Sequence, residues 1–305
     1  MIGFLGAGRV GAQAALEVAS AGIDDVTLVD IAPGLAEGEA MDISQKIAET
    51  GVDVEVRGST DFSALRGSTV VVITAGLARK PGMTRMDLLA KNAGIVSAVA
   101  KEVAKHAPTS VALTVTNPMD VMNYVVLRKT GFPKARVVGM GGILDLSRFK
   151  STLCAMLDVS HSSITSLVIG EHGESMLPLP RYTSIGGVPL AKLMDETQIE
   201  LAIETTRRVA IDVISKKGAT VDAPANAVVK MVKAIAWDRK EVIPASAFLE
   251  GEYGVDGLCI GVPLVLGANG IERILPLDLD DKEKAQFQKG AKTIHEGIVG
   301  TGPSL

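Results

Sequence analysis

The sequence predicts an α/β fold, with a doubly wound parallel sheet in its first half and an α+β second half with antiparallel strands. Over the first 140 residues, short apolar runs alternate with longer amphipathic stretches, a pattern typical of parallel strands joined by crossover helices. Most of these runs are apolar without alternation, as expected when helices cover both faces of a sheet. After the glycine cluster at residues 139–142 the pattern changes to short strands, helices and one pair of consecutive strands, which is typical of an antiparallel arrangement.

The individual elements follow from the same patterns. We predict strands at residues 2–5, 26–29, 53–56, 70–74, 111–115 and 136–138, with helices at residues 10–21, 35–48, 88–106 and 120–129. The second half is predicted to contain a helix at 144–157, short strands near 166–169 and 182–185, helices at 199–216 and 225–236, paired strands at 242–249 and 257–266, and a closing helix near 281–298. The glycine cluster divides the chain into domains at residues 1–140 and 141–305.

Composition narrows the class of protein. Apolar residues make up 47% of the chain, enough for a buried core, and the formal net charge is only −4. Without a block of lysines or arginines, we expect neither nucleic acid nor a membrane as a partner. Cys154 and Cys259 have no metal-ligand spacing, so we expect no metal site. No apolar stretch is long enough to span a bilayer and no signal-peptide pattern precedes the first strand, which predicts a cytoplasmic protein.

A glycine-rich loop, GAGRVG, lies between the first strand and the first helix. Its members are Gly6, Gly8, Arg9, Val10 and Gly11. In the G-x-G-x-x-G pattern the first glycine permits a tight turn, the second lets a pyrophosphate approach, and the third lets helix and strand pack closely. The pattern predicts a Rossmann dinucleotide site in which the N-terminus of the helix binds the pyrophosphate.

An acid ends the second strand. Asp30 lies 19 positions after Gly11, where a carboxylate can accept hydrogen bonds from the adenosine ribose and would repel a 2′-phosphate. The alternative is that Asp30 only ends its strand and caps the next turn. We expect NAD rather than NADP. Val115 and Asn117 end the fifth strand on the same edge, where Asn117 either caps the following helix or contacts the nicotinamide ribose or the substrate.

Three further segments carry charged or titratable side chains. The segment at residues 78–85 follows the fourth strand and contains Arg79 and Arg85, which could close over an anionic substrate. Asp145 and Arg148 are three residues apart and share a helix face. His172 lies between glycines directly after an apolar strand. The alternatives are a solvated basic loop, a surface ion pair and a structural histidine.

Five motifs now stand in order: GAGRVG, ARKPGMTR, VTNP, LDLSRF and GEHG. Over essentially the whole chain the sequence resembles the lactate/malate dehydrogenase family, and within it the malate-type members of the lactate-dehydrogenase-like branch. The resemblance implies an NAD-binding Rossmann domain at residues 1–140, a catalytic domain at residues 141–305, and assembly as a homodimer or homotetramer.

The resemblance also implies roles for single residues. His172 corresponds to the catalytic acid/base, and Asp145 to the carboxylate that orients it and favours its protonated form. Arg148 corresponds to the arginine that binds the C1 carboxylate, and Arg85 to the loop arginine that polarises the carbonyl. Asn117 corresponds to an asparagine that orients the carbonyl. A cofactor contact is implied for Asn92.

Arg79 corresponds to the position that contacts the substrate beyond C3. An arginine there suits a second carboxylate, because a guanidinium left unpaired beside a methyl group would cost on the order of several kcal/mol. The resemblance therefore implies malate and oxaloacetate as the substrate pair. A lactate-type or broad 2-hydroxy-acid enzyme is one alternative, since Glu171 is more typical of the lactate branch. A non-catalytic dinucleotide-binding protein is the other.

Overall fold

The computed structural model describes residues 1–77 and 84–302, and of Arg85 it describes the main chain only. The α-helices of these residues are α1 (Arg9–Ser20), α2 (Leu35–Ala48), α3 (Arg85–His106), α4 (Met119–Thr130), α5 (Gly142–Leu157), α6 (Glu196–Lys217), α7 (Asp222–Ala236) and α8 (Asp281–Gly300). The strands are β1 (Ile2–Leu5), β2 (Val26–Val29), β3 (Val56–Ser59), β4 (Val70–Ile73), β5 (Val111–Thr114), β6 (Val137–Gly139), β7 (Ile164–Thr165), β8 (Val168–Ile169), β9 (Leu177–Pro178), β10 (Ser184–Ile185), β11 (Val188–Pro189), β12 (Glu241–Glu250), β13 (Asp256–Gly267) and β14 (Gly270–Ile274).

One sheet of nine strands runs through both halves of the chain, in the order β14-β13-β12-β6-β5-β4-β1-β2-β3. The six strands of the first half are parallel, and β12, β13 and β14 are antiparallel. The predicted doubly wound sheet and the antiparallel strands of the second half are confirmed. The antiparallel strands prolong the first sheet, because Ser246 of β12 pairs with Gly139 of β6.

The predicted position of the third strand is wrong. Alternating valines placed it at residues 53–56, but β3 is Val56–Ser59, in parallel register with β2. Pairing with β2 determines its position, and Gly58 has no room for a side chain, because a Cβ there would lie 2.1 Å from the Ala36 carbonyl oxygen. Since β3 is the edge strand of the sheet, it is less buried than a central strand, and a run of apolar residues is a poor guide to its position.

Several other elements differ from the prediction at their ends or were missed. β14 and the two-residue strands β7, β9 and β11 were not predicted. Asn269, in the turn before β14, and Gly270, the first residue of β14, are a hairpin signal that could have revealed it. α3 begins at Arg85 rather than at residue 88, because Thr84 and Asp87 form a reciprocal capping box.

Two apolar cores meet at the short strand β8. The larger core lines the long sheet and its helices, and the smaller one packs α5 against α6. Val168 belongs to the smaller core and its neighbour Ile169 to the larger, because successive side chains of a strand point in opposite directions. The two cores thus hold from both sides the segment that leads to His172.

Candidate active site

A buried carboxylate joins a histidine and an arginine side chain at the centre of the site. Asp145 Oδ2 lies 2.7 Å from His172 Nδ1, and Asp145 Oδ1 accepts a hydrogen bond from Arg148 Nη1 at 2.9 Å. The side chains of Asp145 and Arg148 are 3% and 13% exposed, so they do not form a surface ion pair. Both residues come from the N-terminal half of α5, where a spacing of three places them on one face.

The surroundings of His172 favour its protonated form. Burial lowers the pKa of the ring, but the charge of Asp145 and the hydrogen bond with its carboxylate outweigh this effect, so the pKa lies above the usual 6.5. The charge of Arg148 acts in the opposite direction. Because the carboxylate of Asp145 accepts the Nδ1 proton, Nε2 is the nitrogen that can exchange a proton with a ligand.

The main chain around His172 is held at two points. Gly170 and Gly261 of β13 exchange two backbone hydrogen bonds, at 2.8 and 3.1 Å. Asp120, in the first turn of α4, accepts the main-chain N–H of His172 at 2.7 Å. Sequence reasoning missed Asp120. The signal that could have identified it is an acid two residues after the VTNP motif, next to apolar residues that the fold buries.

The glycine loop has the geometry that a dinucleotide requires. Gly6 has a φ of +104°, and a Cβ there would lie 2.8 Å from the Ala75 amide nitrogen. A Cβ on Gly11 would lie 2.0 Å from the Gly6 carbonyl oxygen, so α1 can approach the loop only with glycine at this position. A Cβ on Gly8 would meet open space, which leaves the backbone accessible to a ligand.

The N-terminus of α1 is available for an anion. Gly8 is the N-cap and provides no side-chain cap, so the first amide groups of the helix, including those of Arg9 and Val10, can donate to a pyrophosphate. The exposed side chain of Arg9 instead lines a surface depression of about 490 Å³ formed with α2 and the residues that follow α6. The described residues therefore fit a dinucleotide through the main chain of this loop.

Asp30 and Thr74 hold the loop from either side. The carboxylate of Asp30 accepts the N–H groups of Ala7 and Ala32 at 2.8 and 2.9 Å, so it connects the glycine loop to the end of β2. The hydroxyl of Thr74 donates to the carbonyl group of Gly6 at 2.9 Å. A carboxylate has four lone-pair sites, so Asp30 keeps acceptor capacity for a ribose hydroxyl.

Asn117 and Asn92 lie at the carboxyl end of the sheet. The side chain of Asn117 is exposed after β5, whereas Val115 is buried. Asn92 is 1% exposed, and its amide bonds both main-chain groups of Leu77 and the carbonyl group of Asn117. Its side chain thus supports the segment that carries Asn117, and the cofactor contact of Asn92 stays a prediction. Arg79 and the side chain of Arg85 lie outside the described residues.

Family models match nearly the whole chain. The model described as "lactate/malate dehydrogenase, NAD binding domain" matches residues 1–139, and the one described as "lactate/malate dehydrogenase, alpha/beta C-terminal domain" matches residues 143–300. The chain belongs to the lactate/malate dehydrogenase family. Membership in this family makes it an NAD-dependent oxidoreductase, as the motifs predicted.

Individual relatives cover the chain almost completely. A malate dehydrogenase of Halalkalibacterium halodurans is 44% identical over 297 residues, which are 96% of this chain and 95% of the relative. The structure of the malate dehydrogenase from Aeropyrum pernix aligns with a TM-score of 0.96 at 39% identity and covers 99% of both chains. A lactate dehydrogenase from Cryptosporidium parvum, complexed with lactic acid and β-nicotinamide adenine dinucleotide, aligns with a TM-score of 0.95 at 36% identity, over 99% of this chain and 98% of its own.

The described residues contain neither a membrane-spanning helix nor a cluster of metal ligands. None of the helices within residues 1–77 and 84–302 is long and apolar enough to cross a membrane. In the same ranges, no group of three or more His, Cys, Asp or Glu side chains could hold a metal ion.

Proposed function

We propose that this protein is a malate dehydrogenase, which transfers a hydride reversibly between (S)-malate and NAD and gives oxaloacetate and NADH. The observation that carries the proposal is the buried trio of His172, Asp145 and Arg148, which combines a proton carrier, its carboxylate and a carboxylate-binding guanidinium. The relatives named malate dehydrogenase, at 39% to 44% identity, support this substrate pair.

Two parts of the chain would bind the cofactor and the substrate. NAD, when bound, supplies the hydride acceptor. The main-chain amides of the glycine loop would bind its pyrophosphate, and Asp30 its adenosine ribose. Arg148 would hold the C1 carboxylate of the substrate, for which a planar guanidinium offers two parallel donors. Asn117, exposed at the end of β5, would orient the carbonyl group.

His172 is the proposed acid/base. In malate oxidation its neutral Nε2 takes the proton of the hydroxyl group, and in oxaloacetate reduction the protonated ring returns it. Asp145 fixes the ring through Nδ1 and stabilises the charge that appears on it during oxidation. Arg85 would polarise the carbonyl, and Arg79 would pair with the second carboxylate.

Replacing Arg79 with glutamine is expected to lower kcat/KM for oxaloacetate by roughly 10²-fold or more, because a desolvated charge pair is lost. We expect turnover of pyruvate to rise, since glutamine does not require an anionic partner. The measurement is a panel of oxaloacetate, pyruvate and longer 2-keto acids with NADH and NADPH, run on both proteins. Lys80→Gln, which removes the neighbouring cation, is the matched control and should keep the preference for oxaloacetate. A wild-type preference for pyruvate would contradict the proposal.

A lactate-type specificity is the second candidate, because one neighbour in structure is a lactate dehydrogenase bound to lactic acid and NAD. Glu171, the residue that raised this alternative, has a local role as well. Its carboxylate accepts hydrogen bonds from the hydroxyl and the N–H group of Ser175 and so shapes the loop after His172. The substrate panel separates the two candidates.

The chain is also proposed to form a homodimer or homotetramer. Ile211 and Ile214 near the end of α6 are 63% and 50% exposed, an arrangement that suits contact with a second copy. Ile211→Glu would bury a charge in that contact, so we expect a larger fraction of monomer in sedimentation at micromolar concentration. Lys216→Glu, on the opposite side of α6, should leave the assembly unchanged. A monomeric wild type would contradict the proposal.

Three assignments remain predictions. A cytoplasmic location is predicted from the absence of signal-peptide and membrane-span patterns, and a place in the tricarboxylic acid cycle follows from the family resemblance. The division into an NAD-binding domain at residues 1–140 and a catalytic domain at residues 141–305 is predicted from the glycine cluster and the resemblance.

A further inference from the structure

Asp120 is a buried carboxyl group whose hydrogen bond goes to the histidine segment. The residue is 3% exposed, and Oδ2 accepts the main-chain N–H of His172, 52 positions further along the chain. Its other oxygen, Oδ1, is also buried, and the hydroxyl of Ser246 on β12 acts on the carboxyl group. A carboxyl group in the first turn of a helix commonly bonds that helix's own amides, so this contact with another segment calls for an explanation.

Asp120 belongs to a buried polar cluster between α4, β12 and β13. The cluster consists of Asp120, Asn123, Ser246 and Cys259. The amide of Asn123 donates to the carbonyl oxygen of Ser246 at 3.1 Å. The hydroxyl of Ser246 acts on the carboxyl group of Asp120, and the side chain of Asn123 acts on the thiol of Cys259. Buried polar groups need partners, so these side chains face one another across α4, β12 and β13, and Asp120 Oδ2 accepts the N–H of His172.

Asp120 and His172 each shift the pKa of the other. Burial raises the pKa of Asp120 to about 7, although the Ser246 hydroxyl, the N–H of His172 and the charge of its ring act to lower it. The charge of Asp120 in turn raises the pKa of His172. The titratable and charged groups that face this pair are Glu171 from the same loop, Cys259 from β13, and Asp145 and Arg148 from α5.

We propose that Asp120 is a positioning residue of the histidine site, which holds the main chain of His172 and places a second negative charge, besides that of Asp145, near its ring. Its ionised form is then favoured when His172 is protonated, the state that reduces oxaloacetate. When His172 is neutral, Asp120 tends to take up a proton. The consequence for turnover rests on the proposed function of His172 as the acid/base.

The first test needs no substrate. Asp120→Asn keeps an oxygen that can accept the N–H of His172 but removes the charge. We expect the pKa of His172, followed by NMR of its ring protons, to fall by roughly 0.5 to 1 unit. The chain has only four histidines, so the spectrum of His172→Asn assigns the resonance. An unchanged pKa would overturn the proposal while leaving the proposed function intact.

The second test separates charge from main-chain support. We expect Asp120→Asn to shift the alkaline fall of kcat/KM for oxaloacetate reduction to lower pH, and Asp120→Ala to lower kcat at every pH as well. The control is Asp195→Asn, the same substitution at the N-cap of α6, which should leave the profile in place. A profile of Asp120→Asn that coincides with that of the control would overturn the proposal. Absence of oxaloacetate turnover in the wild type would instead refute the proposed function.

Thermal unfolding tests the buried carboxyl itself. A folded-state pKa of about 7 against an ordinary 3.8 means that the folded protein binds more protons than the unfolded chain between these values, so stability falls as the pH rises through this window. Asp120→Asn removes this loss. We therefore expect its Tm, relative to the wild type, to increase from pH 4 to pH 7. A difference that stays constant with pH would contradict the assignment of a buried titrating group.

Discussion

His172→Asn is expected to lower kcat for oxaloacetate reduction by roughly 10²- to 10⁴-fold, the usual contribution of a positioned acid/base. Asparagine can still accept or donate a hydrogen bond beside Asp145, but it cannot carry a proton at neutral pH. Binding of NADH, measured by fluorescence titration, should stay within a few-fold of the wild type, because the glycine loop and Asp30 lie on a different part of the sheet.

His106→Asn provides a matched control. The side chains of His106 and His172 are both 9% exposed, and each pairs with an acid, Glu102 in the case of His106. A loss confined to His172→Asn therefore reports chemistry rather than the removal of a buried imidazole. Turnover retained by His172→Asn would refute the proton-transfer role and favour a non-catalytic dinucleotide-binding protein.

Asp145→Asn is expected to reduce turnover by roughly 10²-fold or more, with a larger loss in oxaloacetate reduction than in malate oxidation. The carboxylate outweighs the effect of burial on the ring, so without its charge the pKa of His172 should fall below the wild-type value. At pH 7.5 fewer rings are then protonated, and reduction requires the protonated ring. Oxidation starts from the neutral ring, so it loses the orientation and the charge stabilisation that Asp145 provides but keeps its population of reactive rings.

The measurement is the pH dependence of kcat/KM in both directions. Equal losses in both directions, with no shift of the profile, would contradict this account. The variant also leaves Arg148 without its buried partner, so we expect a cost of about 3 kcal/mol in the free energy of unfolding. Glu283→Gln is the control. Glu283 is a buried carboxylate that pairs with the half-exposed Arg181, away from the histidine site. It should lower stability without moving the pH profile.

The sequence predicted the sheet well where chemistry and periodicity agree. Strands β1, β2, β4 and β5 are apolar runs between helices, and the structure places them within a residue of the prediction. The position of β3 depends on its pairing with β2, and the two-residue strands are too short to show a periodic pattern. In both cases the residues of the segment alone do not determine where the strand lies. The pairing of β12 with β6 was also not predictable, since it depends on how two distant segments pack.

For the site, the motifs identified the residues but not all of their contacts. Asp145, Arg148 and His172 come together as their residue types and positions suggested. Asn92 was expected at the cofactor, yet its amide is used to bind Leu77 and Asn117. Asp120 escaped notice because an acid at the start of a helix is ordinary in sequence, and only the fold brings it to His172.

The pairing of Gly170 with Gly261 connects the long sheet to the position of the proposed acid/base, His172. A Cβ on Gly261 would lie 2.7 Å from the carbonyl oxygen of Gly170, two residues before His172. A side chain at this position of β13 would push against the strand end that leads to His172. Strand β13 therefore helps to fix the position of His172 relative to the carboxyl edge of the sheet. We expect a substitution of Gly261 to lower turnover more than it lowers the stability of the fold.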